Sequence, residues 1–227
     1  MSSDKIDTTT GMRRMSALEA LRKQAESRPK QEDPAVVRAR AIEALNKEMR
    51  SVSSYIAQVG GEISQVKPEA GQPFEILFLG KFPVSLADAW VDSRPTRVEG
   101  LDCMATIHVR YRMNAVTPAK VTLLGDDIAR LEQLLKPLGA DYQMMVEQKN
   151  DFGQARRATF VLNGKINCQL EIVADYSHLA VSIELINVRK YGTRRHRLAA
   201  DKFTDVGDDL ARYVLGVDDE FERFLKA

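Results

Sequence analysis

Between Cys103 and Met113 the chain alternates strictly: Cys103, Ala105, Ile107, Val109, Tyr111 and Met113 fall on one parity, and Thr106, His108, Arg110 and Arg112 on the other. Successive side chains of a strand point to opposite faces, so this pattern demands a strand with one face buried and the other wet. The same rhythm returns in Tyr142/Met144/Val146, in Ala158/Phe160/Leu162, in Ile166/Cys168/Leu170/Ile172/Ala174 and in Leu179/Val181/Ile183/Leu185. Lys165, Asn167, Gln169 and Glu171 stand between the apolar residues of the third set. One-sided burial is the habit of antiparallel sheets, and four successive antiparallel strands are the expected arrangement. Asn163-Gly164 between the second and third sets is a strong hairpin signal, because both residues tolerate positive φ.

The remaining segments read mostly as helices. Asp33-Pro34 supplies an N-cap followed by proline at the first helical position, where its missing N–H costs nothing. Beyond it Ile42, Leu45, Met49, Val52, Ile56 and Val59 are spaced alternately three and four apart, a single narrow seam along one helix face. Gly60-Gly61 is expected to end or bend that helix. Upstream, Met12 to about Ser27 has helical spacing and Met1–Gly11 reads as a loose tail. Asp126 or Asp127 is expected to cap a helix running to Pro137, and Asp201–Leu215 forms another. Asp218 can cap a last short one through Phe221, Phe224 and Leu225. Val84–Val91 fits either strand or helix, and Pro95 interrupts a strand continuing past Arg94. The fold class is therefore α+β, mainly an antiparallel sheet with helices on one face. The expected divisions are a tail over 1–11, a helical arm over 12–67 with helices near 12–27 and 34–60, and an α+β domain over 68–227.

Composition limits the function classes. With 33 basic and 32 acidic side chains, no net field draws the protein to nucleic acid or lipid, so electrostatic function must be local. No stretch nears the roughly 20 apolar residues of a membrane span, and the start carries no signal-peptide run, so a cytoplasmic location without membrane contact is expected. Cys103 and Cys168 lack a C-x-x-C partner and are expected as free thiols. No phosphate-cradling glycine loop or metal-ligand spacing is found, so no cofactor or metal is expected.

Two surfaces stand out. The seam Ile42, Leu45, Met49, Val52, Ile56 and Val59 wants a partner, either another protein or copy, or the chain's own body. Arg189, Lys190, Arg194, Arg195 and Arg197, in a segment read as a loop with Tyr191 among them, are candidates for gripping phosphate, with Arg110 and Arg112 as a possible extension. The bland alternative pairs these cations with acids downstream, Asp201, Asp205, Asp208 and Asp209. Asp175, Ser177 and His178 contain the residue types of a hydrolase triad, but such close neighbours read better as a turn. Trp90, the single tryptophan, is either core or a binding hot spot. The leading expectation is a non-enzymatic interaction protein using the helical arm and the polar sheet face, with nucleic-acid or phosphoanion binding through the basic segment as the alternative.

Overall fold

A computed structural model describes residues 32–204, 206–219 and 221. The chain divides between Arg38 and Ala39 into two units. The described part of the first, residues 32–38, contains the start of helix α1 (Pro34–Val66). Asp33 caps it as expected: its Oδ1 accepts the Ala35 N–H at 2.9 Å and its carbonyl accepts that of Val36. The expected tail over 1–11 and helix over 12–27 lie outside the described residues.

In the second unit, strands β1 (Phe74–Ile76) and β2 (Gly80–Phe82) form a short hairpin. They lead into β3 (Val84–Val98), β4 (Leu101–Ala115) and β5 (Ala119–Leu124), then helix α2 (Asp126–Leu138). After it come β6 (Asp141–Lys149), β7 (Ala155–Gly164), β8 (Ile166–Asp175), β9 (Ala180–Ile186) and β10 (Thr193–Ala199). Helix α3 (Val206–Leu215) follows. The main sheet has five antiparallel strands in the order β10-β9-β8-β4-β3, and a second has three in the order β5-β7-β6.

The main sheet is one-sided, as its alternation predicts. Val109, Leu170 and Leu185 are register partners on the inner face, as are Ile107, Ile172 and Ile183, and all six are buried. Helices α1 and α3 cover that face: Ile56 and Ile63 of α1 and Leu210 and Ala211 of α3 meet over Val109 and Leu170. The six-residue seam is what α1 turns inward. Ile42, Leu45, Met49, Val52 and Ile56 are buried and Val59 is half-buried against the same core. Of the two fates the seam allows, the structure shows the intramolecular one, and these side chains are not a free partner surface. The apolar sheet face is the nearest surface able to remove them from water, at about 1.5–3 kcal/mol for each side chain covered.

Several local expectations are corrected. Helix α1 runs through Gly60-Gly61 to Val66, and at Gly60 it packs tightly on β3: a Cβ there would stand 3.1 Å from Val91 Cγ2. The undecided segment from Val84 is an edge strand that contains Pro95, placed where the register shifts between Arg94 and Pro95. The N-cap of α2 is Gly125, with Asp126 and Asp127 in the first turn, where carboxylates favour the helix dipole.

Asn163-Gly164 does not close a hairpin. Strand β7 pairs with β5 and β6, whereas β8 pairs with β4 and β9, so the chain changes sheets here. Gly164 at φ 140° and Lys165 at φ 61° make the corner, stacked on Asn114 and Ala115 where β4 also leaves the main sheet. Residues suited to positive φ permit a tight turn, but only tertiary pairing decides what the turn joins. Tyr142, Met144 and Val146 share the covered side of the small sheet with Phe160, yet only Tyr142 is even half-buried. Helix α2 packs against β5 and β7, and β6 is the outer strand of that sheet.

Candidate interaction face of the sheet

The outer face of the main sheet carries the alternate residues in ordered rows. One row is Arg195, Glu184, Glu171, His108 and Asp92, taken across β10, β9, β8, β4 and β3. A second is Thr193, Ile186, Gln169, Arg110 and Trp90. Within the first row, Arg195 pairs with Glu184 at 3.0 Å, and His108 Nε2 lies 3.3 Å from Glu171 Oε1. The His108 Nδ1 is buried without a hydrogen-bond partner. Glu184 and Glu171 stand directly opposite one another, and each is matched on its other side, Glu184 by Arg195 and Glu171 by His108, in cross-strand pairs.

A bulge in β3 shapes the end of the second row. The register with β4 shifts between Ala87 and Trp90, Asp88 adopts φ 52°, and the strand kinks. The kink brings Asp88 within 3.1 Å of Arg112 and sets Trp90 directly opposite Arg110. The Arg110 guanidinium lies 5.7 Å from the Trp90 ring centroid, a cation–π contact, and Trp90 remains 53% exposed. Beside the pair, Asp88, Arg110, Arg112, Asn167, Gln169 and Pro137 line a concavity of about 500 Å³.

The basic segment 189–197 is not one loop. Its second half is strand β10, whose alternation splits the cations between two faces. Arg195 and Arg197 point outward, to Glu184 and to Asp175 at 2.8 Å. Arg194 points inward, donating to Tyr213 Oη and the Val188 carbonyl, both at 2.6 Å. Arg189 is largely buried. It binds the Asp219 carboxylate, the Asp218 carbonyl and Gln72 Oε1, and its guanidinium covers the Tyr213 ring at 4.6 Å. The acids that hold these arginines are therefore Asp175, Glu184 and Asp219. They come from neighbouring strands and the stretch after α3, whereas one of the acids expected for this role, Asp208, accepts from the Tyr55 hydroxyl. Of the seven candidate cations, Arg110, Lys190 and Arg194 have no ion pair among the described residues, and Arg194 is held instead by Tyr213 and the Val188 carbonyl.

Asp175, Ser177 and His178 form the β8–β9 turn. The Asp175 Oδ1 accepts the backbone N–H groups of Ser177 and His178 and the Ser177 hydroxyl, the last at 2.5 Å. Ser177 and Asp175 both approach the same imidazole nitrogen, His178 Nδ1, at 2.9 and 2.8 Å. A triad needs the nucleophile on one ring nitrogen and the carboxylate on the other, so this geometry cannot relay a proton between them. Among the described residues no three of His, Cys, Asp and Glu gather as a metal site, and no helix is long and apolar enough to cross a membrane.

Trp90 and Asp88 are the members of this face that sequence reasoning left undecided or missed. Their direction depends on the bulge, which simple alternation conceals. No known protein family, curated protein or solved structure matches the chain.

Proposed function

We propose that this chain is a non-enzymatic interaction protein that meets a protein partner through the outer face of its five-strand sheet, with Trp90 and Arg110 as the anchor. The carrying observation is a tryptophan held half-exposed on a mostly polar face, braced by an arginine at the rim of a concavity. Tryptophan and arginine are the residues most enriched where binding energy concentrates, and a flat polar rim around them suits exclusion of water on docking. Since the α1 seam is spent in the core, the reading rests on the sheet face.

Immobilised full-length protein, compared with W90A and R110A and with K120A on the other sheet, tests it. A protein retained by the wild type and K120A, lost from W90A and R110A, and binding again as a purified pair supports the reading. Equal retention by W90A removes it.

The second reading is anion binding, and its support lies at the concavity rather than in the 189–197 segment. Arg110 carries no ion pair there, and the amides of Asn167 and Gln169 can donate beside it. Phosphate binding at this site would weaken steeply with added salt and vanish in R110A. An interaction unchanged by either rules the second reading out.

A further inference from the structure

Among the described residues, the outer strands are β3 and β10 in the main sheet and β5 and β6 in the smaller one. Exposed edges invite pairing with another chain, and proteins usually blunt them with charge, proline or bulges. Strand β3 carries Pro95, the Asp88 bulge and Arg94 and Arg97, and its beginning is covered by hydrogen bonds to Pro68 and Ala70. Strand β10 carries Arg195 and Arg197, and β5 is short, follows Pro118 and bears Lys120.

Strand β6 lacks these defences in its middle. From Tyr142 to Val146 it is uncharged and in regular register with β7, and the bulges fall only at its two ends. Met145 is 50% exposed there, with Met144 and Val146 over a third exposed beside it.

We infer that β6 is a self-association edge, on which a second copy of the chain adds its own β6 antiparallel about a two-fold axis at Met145. The sequence Asp141–Lys149 is complementary to itself in that register. Met145 meets its counterpart, Met144 meets Val146, Tyr142 meets Gln148, and Asp141 meets Lys149 at both ends. Moving the axis to Met144 sets Asp141 against Glu147, and moving it to Val146 sets Met145 against Glu147. The Met145 register alone among these joins the apolar residues and opposes unlike charges. Isologous pairing of this kind closes on itself, giving a dimer with one continuous six-strand sheet. Main-chain hydrogen bonds supply the affinity and the alternate side chains the register.

Sedimentation of full-length protein over a broad concentration range tests the inference. The wild type is expected to dimerise reversibly, and M145K, which sets two lysines at the axis, to stay monomeric at concentrations where the wild type is dimeric. D141K and K149D each oppose like charges at both ends and are expected to weaken the dimer about tenfold. The double variant D141K/K149D restores the unlike pairing and is expected to recover wild-type association. All three positions are exposed strand sites, and circular dichroism checks that each variant folds. A wild type that stays monomeric throughout overturns the inference, as does a dimer that survives M145K or ignores both charge reversals. W90A leaves this dimer unchanged, so the outcome is independent of the sheet-face reading.

Discussion

The Ser64 hydroxyl of α1 binds both main-chain polar groups of Ala89, accepting from its N–H at 2.9 Å and donating to its carbonyl at 3.1 Å. Ala89 sits inside the β3 bulge, where the ladder with β4 is interrupted. A bulge leaves polar groups without ladder partners, and a half-buried orphan of this kind is costly. One serine on the helix therefore stabilises the distortion that turns Trp90 toward solvent.

Replacing Ser64 with alanine strands both groups of Ala89. The expected loss of stability is about 1–3 kcal/mol, read from urea unfolding. Trp90 is the only tryptophan, so its fluorescence reports the same site. In the wild type it should emit as a water-exposed indole and be quenched readily by iodide, and S64A should change both signals. A wild-type spectrum of a buried indole would contradict the placement of this residue.

The neighbouring glycines separate helix propensity from packing. An added Cβ at Gly61 meets nothing within 4 Å, so G61A is expected to stabilise by about 0.5–1 kcal/mol. At Gly60 the same methyl stands 3.1 Å from Val91 Cγ2, and the crowding offsets the propensity gain. G60A should therefore be the less stable of the two. Equal stabilisation would mean that α1 does not approach β3 as closely as described.

Most of the fold was legible because its signal is local. The parity of Cys103–Met113 and of Ile166–Leu185 names the buried face, and the Ile42–Val59 spacing names the stripe of α1. Partner choice was not legible. The residues Asn163-Gly164 suit a hairpin as well as a corner between sheets, and only the pairing of β8 with β4 decides between them. For the site, the outward positions of Arg110 and Arg112 followed from alternation. Trp90 did not, because its direction depends on a bulge held by a side chain 26 positions upstream. The basic segment misled for a related reason: read as a run of charge, it hides that alternate arginines of a strand face opposite environments.

Those arginines should differ sharply when replaced. Arg189 is largely buried, and its loss leaves Asp219, Gln72 and the Tyr213 ring without their common partner. R189A is expected to destabilise by about 2–4 kcal/mol, approaching the cost of breaking a buried pair. Arg195 is exposed at a strand edge, and R195A should cost under about 1 kcal/mol. Similar small effects for both in chemical denaturation would place Arg189 at the surface.

The β8–β9 turn gives the stability profile an acid limb. Hydrogen bonds from Ser177, and then from His178, hold the Asp175 carboxyl well below the usual carboxylate range. In the unfolded chain the group returns to about 3.9, so between the two values the unfolded state binds the extra proton. The contribution is present above pH 4 and is lost as pH falls through the folded value. Urea midpoints of D175N should accordingly fall less steeply below pH 4 than those of the wild type. Parallel curves would show that Asp175 titrates normally.

Thiol labelling should report two depths of opening. Burial raises the pKa of both Cys103 and Cys168, and the Cys168 thiol also donates to the Asn187 carbonyl at 3.2 Å. The reactive species is the thiolate, so neither should react at mild alkaline pH while folded. Cys168 is buried on β8, the central strand between β4 and β9, and exposing it requires separating the main sheet. Cys103 lies near the β3–β4 turn, where fraying of two strand ends suffices. Native-state labelling should therefore be biphasic, with Cys103 first, and C103S should abolish the faster phase. The slower phase should accelerate in S64A or R189A by the factor their unfolding free energies predict. Rapid modification of Cys168 in the native wild type would place that thiol outside the core of the sheet.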